Sequence, residues 1–92
     1  MKKNNKEDRF IHQELIDQCR RGNRRAQFKI YKLYYRAMYN TSLRILNNRF
    51  EAEDVMQEAF LKAFEYIDQY KAEVSFGAWL KRIVINKSID QL

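Results

Sequence analysis

Proline is absent from the 92 residues, and glycine occurs only at Gly22 and Gly77. Sheet proteins need frequent tight turns, which these two residue types supply, so their scarcity predicts an all-helical chain. Cys19 is the only cysteine, which excludes an intrachain disulfide and a thiolate metal cluster. His12 is the only histidine, which excludes a metal site or catalytic triad built on several imidazoles. No apolar run exceeds three residues (83–85 is one), far short of a membrane span, so no membrane insertion is expected. The start, Met-Lys-Lys-Asn-Asn-Lys, is basic but no apolar stretch follows, so it is no secretory signal and a cytoplasmic location is expected. Glycine-rich phosphate loops and nucleophile–base pairs are missing too. Neither an enzyme nor a bound cofactor is expected.

What is present is charge, unevenly placed. Residues 20–49 hold nine basic side chains and no acidic one, whereas residues 51–68 hold six acidic side chains and only Lys62 as a base. Such segregation steers a polyanion to one surface and a basic protein to another. Two solvated helix faces are the plainer reading of the same pattern.

The size allows one domain with one modest core. Apolar spacing predicts a compact four-helix domain with no sheet. The first helix covers residues 7–21, with Phe10, Leu15, Ile16 and Cys19 as its apolar marks. Residues 1–6 are polar and are expected to form a disordered tail, leaving 7–92 as the domain. Gly22 fits the position after a helix end and Asn23 an N-cap. The second helix, 24–46, has two apolar stripes: Ile30, Leu33, Tyr34 and Ala37, then Phe28, Tyr31, Tyr35 and Met38. Two stripes predict burial over a wide arc and a central role as the spine. Asn47 and Asn48 break it. The third helix is predicted over 52–69. Ser75 is the expected N-cap of the fourth, over 76–91.

Two helices carry candidate binding residues. On the third, Asp54, Gln57, Glu58 and Leu61 fall at i, i+3, i+4 and i+7, one stripe that can accept hydrogen bonds from arginines beside an apolar contact. On the fourth, with Ile83 at the centre of the inner face, Phe76, Leu80 and the stem of Lys87 share one arc. Trp79 sits at its edge, with Arg82 and Asn86 just beyond. Arg and Asn hydrogen-bond base edges in pairs, and Arg and Lys hold phosphates. Trp79 also reads as a core residue and Asn86 as a polar boundary residue. Ile85 is expected almost opposite the core, beside Lys81 and Ser88.

The residues Asp54-Val-Met-Gln57-Glu58-Ala-Phe60, followed by Phe76-x-x-Trp79-Leu80-x-x-Ile83-x-x-Asn86-Lys87-x-x-Asp90, resemble region two of bacterial RNA polymerase sigma factors of the extracytoplasmic-function group. The resemblance spans the four predicted helices from about Leu15 to Leu92. It implies that Asp54, Gln57, Glu58 and Leu61 dock on the clamp helices of the polymerase's largest subunit. It also implies that the loop Tyr70, Lys71, Ala72, Glu73, Val74 and Ser75 forms a pocket for a base flipped out of the non-template minus-ten element, walled by Tyr70 and Phe76. Arg82, Asn86 and Asp90 then meet the bases upstream, with Lys81 and Lys87 on phosphates. Capturing an unstacked base stabilises an opened promoter.

The loop departs from the family pattern. Many members carry glycine after the basic residue, where this chain has Ala72, and alanine resists positive φ, so a different loop backbone is expected. The resemblance further implies a helix-turn-helix domain reading the minus-thirty-five element, which these residues do not supply. The chain is therefore expected to be a piece that binds promoters weakly alone, as a monomer. A helical protein-interaction module without DNA contact is the rival class. A third possibility is that an anti-sigma protein occupies the same surfaces.

Overall fold

A computed structural model describes residues 12–92, and among these every regular element is helical: α1 (Gln13–Arg20), α2 (Arg24–Leu46), α3 (Arg49–Glu65), a 3₁₀ turn (Ile67–Gln69) and α4 (Phe76–Gln91). The expected start of the first helix and the tail before it lie outside the described residues. No described helix is long and apolar enough to cross a membrane.

The helix ends follow from single residues. Gly22 takes φ +79 after α1, its N–H bonds Cys19 O at 3.0 Å, and the Asn23 N–H bonds Gln18 O at 3.1 Å. These two bonds close a Schellman motif, which favours glycine because a Cβ resists the left-handed backbone. Asn23 then caps α2 by accepting from Ala26 N at 3.0 Å. At the far end Asn47 adopts φ 54, a conformation asparagine tolerates, and Asn48 caps α3 by accepting from Glu51 N at 3.0 Å. This cap starts α3 at Arg49, three residues before the expected Ala52. The expected end at Gln69 also changes: the α-helix stops at Glu65, and the tighter 3₁₀ turn carries Ile67 and Tyr70 into the core. Ser75 caps α4 as expected, accepting from Ala78 N at 3.1 Å.

As expected, α2 is the spine, packing against α1, α3 and α4, while α3 and α4 pack on each other. The core gathers Ile16, Ile30, Met56, Phe60, Leu80 and Val84, each under 5 % exposed. Burial of Cys19 pushes its thiol up to about 11, so it remains protonated and weakly reactive near neutrality. Gly77 lets α4 approach α2 closely, since a Cβ there would meet Tyr34 Cε1 at 3.1 Å.

Two expectations about faces are corrected. The second helix does not bury both stripes: Phe28 is 60 % exposed and Leu33 54 %, with Tyr35 and Ala37 also at the surface. The fourth helix is turned by roughly 80°, less than one residue's 100° step. Its buried line is Phe76, Leu80, Val84 and Ser88, with Ile83 only partly covered. A pair of serines accommodates this face. Ser88 and Ser42 share a hydrogen bond of 2.8 Å, and Ser88 Oγ lies 2.7 Å from Val84 O. Mutually satisfied hydroxyls bury without the usual cost. Ser88 therefore points inward, and Ile85 is half-buried instead of facing away from the core.

Candidate functional site

The α3 stripe is a surface built on a rigid element. Asp54, Gln57, Glu58 and Leu61 are all exposed, Leu61 at 72 %. Gln57 donates to Glu53 at 3.5 Å along the helix. Behind the stripe, α2 and α3 enclose a cleft of about 610 Å³ lined by Phe28, Tyr31, Gln57, Phe60, Leu61 and Phe64, with Arg24 and Gln27 at its polar side. Leu61 thus has an apolar neighbour in Phe28. Spacing within the third helix gives no hint of it, because Phe28 comes from α2.

The loop between Tyr70 and Phe76 is anchored from beneath. Tyr70 is 1 % exposed and Phe76 3 %, with the two rings edge to face at 5.4 Å between centroids. The Tyr70 hydroxyl donates to Val74 O at 2.7 Å, spanning the loop, and Arg20 of α1 donates to Tyr70 O. Arg20 also pairs with Asp17 at 3.1 Å. Tyr34 lies against Phe76, and burial, reinforced by Tyr70, raises its phenol above the ordinary value. The expectation that Tyr70 and Phe76 wall an open pocket with their rings is corrected, because both faces are already covered by protein.

Ala72 adopts φ 59, the left-handed conformation that glycine supplies more easily. The loop thus reaches positive φ with alanine, contrary to the expected avoidance of it. Lys71, Glu73 and Val74 are exposed, and Ala72 and Ser75 half-buried. Beneath the loop, Gln13, Arg20, Asp68, Tyr70, Lys71 and Ala72 line a polar hollow of about 590 Å³. Gln13 Oε1 is buried there without a hydrogen-bond partner. Gln13 and Arg20 were invisible to sequence spacing, since α1 meets the loop only in the fold.

On α4, Trp79 is half-buried, 5.4 Å from the Tyr70 ring and 5.6 Å from the Phe76 ring. It is core at one edge and surface at the other. There it lines a smaller hollow with Lys62, Tyr66, Gln69 and Ile83. Arg82 and Asn86 stand exposed on the same side at i+3 and i+7 from Trp79. Lys81 and Asp90 are exposed as well. Lys87 is half-buried and lies 4.0 Å from Glu58 on α3, so a residue expected at DNA neighbours one expected at polymerase.

The family model for sigma-70 region 2 matches residues 30–92, which carry α3, the loop and α4. The chain belongs to the sigma-70 region 2 family. It is 38 % identical over 77 residues to the ECF RNA polymerase sigma factor SigW of Bacillus subtilis, covering 84 % of this chain and 41 % of that protein. It is 32 % identical over 80 residues to the RNA polymerase sigma-H factor of Pseudomonas aeruginosa, covering 87 % of this chain and 42 % of that protein. With the ECF RNA polymerase sigma-E factor of Haemophilus influenzae it shares 27 % over 85 residues, covering 92 % of this chain and 44 % of that protein. The chain spans less than half the length of these relatives.

Proposed function

We propose that this region 2 domain serves transcription initiation by docking on core RNA polymerase through α3 and holding the minus-ten element as single-stranded non-template DNA through the loop and α4. The observation that carries the reading is the pairing of exposed Arg82 and Asn86 with a polar hollow under the loop, on elements other than the one bearing the acidic stripe. The partners are the largest subunit's clamp helices and promoter DNA. No step is catalytic. The relatives' own names, as RNA polymerase sigma factors, support the same assignment.

Tyr70 and Phe76, buried in the core, do not stack on the base. One unstacked base enters the hollow edge-first instead. Asp68 offers an acceptor, and Arg20 and Lys71 offer donors. Extracting a base costs a few kcal/mol, which two or three such bonds at about 1 kcal/mol each offset only when the polymerase holds the domain in place. Arg82 and Asn86 meet the neighbouring bases, each discriminating by about 1–3 kcal/mol, while Lys81 and Lys87 meet phosphates.

The test is binding of the chain, held on core polymerase, to single-stranded oligonucleotides varied one base at a time and to the matching duplex. The expected result is preference for one single-stranded sequence over its duplex. Asn86→Ala then relaxes the preference, and Lys87→Ala lowers all affinities alike. Equal affinity across the panel, or preference for closed duplex, overturns the reading and leaves the protein-interaction module.

A further inference from the structure

The solvent face of α2 carries Arg25, Lys29, Lys32 and Arg36 at i, i+4, i+7 and i+11, all four exposed. At 100° per residue they fall within an arc of about 60°, opposite the line of Ala26, Ile30 and Met38 that faces the core. None of the four makes an ion pair with a described residue. Lys32 Nζ instead sits 5.4 Å from the centre of the Phe28 ring. No acidic residue occurs anywhere from 20 to 49. Like charges three and four apart destabilise a helix. A helix selected only for packing would dilute this row with glutamate, as solvated faces ordinarily do. Four cations on the spine of the domain, with no acidic partner among the described residues, therefore call for an external polyanion.

We propose that this stripe is a second DNA-binding surface, one that grips the phosphate backbone of duplex DNA without reading bases. The stripe runs about 16 Å along a rigid helix. Over that length duplex DNA presents about five phosphates on each strand, a stiff and regular array of negative charge. Lysine and arginine on a straight stripe match such an array. Phe28 lies against Lys32 at the edge of the stripe, but no amide side chain sits among the four cations to hydrogen-bond a base edge. A duplex held here stays close while the loop and α4 take up the opened strand. The surface is distinct from those elements and goes beyond the single-stranded reading.

The experiment compares the 92-residue chain with a quadruple variant, Arg25→Gln, Lys29→Gln, Lys32→Gln and Arg36→Gln, and with a charge-matched control, Lys3→Gln, Arg21→Gln, Arg44→Gln and Arg49→Gln. Affinity for a short mixed-sequence duplex is measured over a series of salt concentrations. The stripe variant is expected to lose at least about tenfold at low salt and to flatten the log–log salt slope by about 0.9 for each phosphate contact removed. The control is expected to keep most of the parent's affinity, and base preference on single strands is expected to survive in the stripe variant. Its helix should melt no lower than the parent's, since repulsion is relieved. If it fails to fold, the milder Lys29→Gln, Lys32→Gln pair is used, with a slope change of about 1.8. Unchanged duplex affinity and slope overturns the proposal. An equal loss in the control, which is a net-charge effect, does so too. Intact duplex binding with lost affinity for core polymerase makes the stripe a protein contact and overturns it as well. Failure of the single-stranded reading would show in the base-varied panel and leave these measurements unaffected.

Discussion

The polar stripe of α3 and the loop between Tyr70 and Phe76 reach the surface by different means. The stripe is a free face: its four side chains point to solvent while Met56, Ala59, Phe60 and Ala63 hold the helix from the other side. Surface and core there are different residues of one helix, so either can change alone. The loop has no such separation. Tyr70 is a core ring, a bridge across the loop to Val74 and an acceptor for Arg20 at once. A change at the loop's base alters the fold and the surface together.

The largest expected effect tests the loop's dependence on its anchor. Tyr70→Ala should cost about 3–5 kcal/mol, a large share of the roughly 5–15 kcal/mol available to a small domain. Tyr70→Phe keeps the ring and should cost only about 1 kcal/mol for the lost bond to Val74. Urea unfolding of the pair measures both. Parent-like stability in Tyr70→Ala would break the comparison by showing that the loop stands free of the core.

A second effect runs the other way. Alanine at φ 59 is held in a conformation costing about 1–2 kcal/mol, while glycine gives back about 0.4–1 kcal/mol through its looser unfolded chain. Ala72→Gly should therefore stabilise by about 0.5–1 kcal/mol, seen as a higher denaturant midpoint. A lower midpoint would mean that the left-handed turn is not held in solution.

The α3 stripe should respond in function and not in stability. Asp54→Lys with Glu58→Lys should leave unfolding within about 0.5 kcal/mol of the parent, yet weaken binding to core polymerase tenfold or more, about 1.4 kcal/mol. A folded double variant with parent affinity removes the docking role. The smallest effect lies where the two regions touch. Lys87 and Glu58 are 4.0 Å apart, with side chains 28 % and 64 % exposed. Solvent screens such a pair, so a double-mutant cycle on stability should find coupling below about 0.5 kcal/mol. A coupling above about 1 kcal/mol would make the two surfaces mechanically joined.

Much of the fold was legible because its signals are local. Asn23 and Ser75 are N-caps that act within three residues, and both set helix starts at the expected positions. Asn48 acts equally locally, but after Asn47 it has the look of a helix breaker, which hides its role as the cap that starts α3. The face of α4 is hidden for a different reason: a serine reads as outward until a second serine, 46 residues away, satisfies it. Of the candidate site, the α3 stripe and the Arg82–Asn86 pair follow from helical spacing alone. The hollow beneath the loop does not, because Gln13 and Arg20 reach it from α1.

By itself the sequence determined an all-helical chain, its segregated charge and its membership of a family, since turn scarcity, helical periodicity and motif spacing are properties of neighbours along the chain. Only the tertiary structure decided which face of α4 is buried, that Tyr70 and Phe76 are core, that Phe28 joins Leu61 at one cleft, and that Arg20 secures a loop fifty residues downstream. Those outcomes depend on which apolar and polar groups from distant segments satisfy one another, and burial selects among helix rotations that local pattern leaves nearly equal in energy.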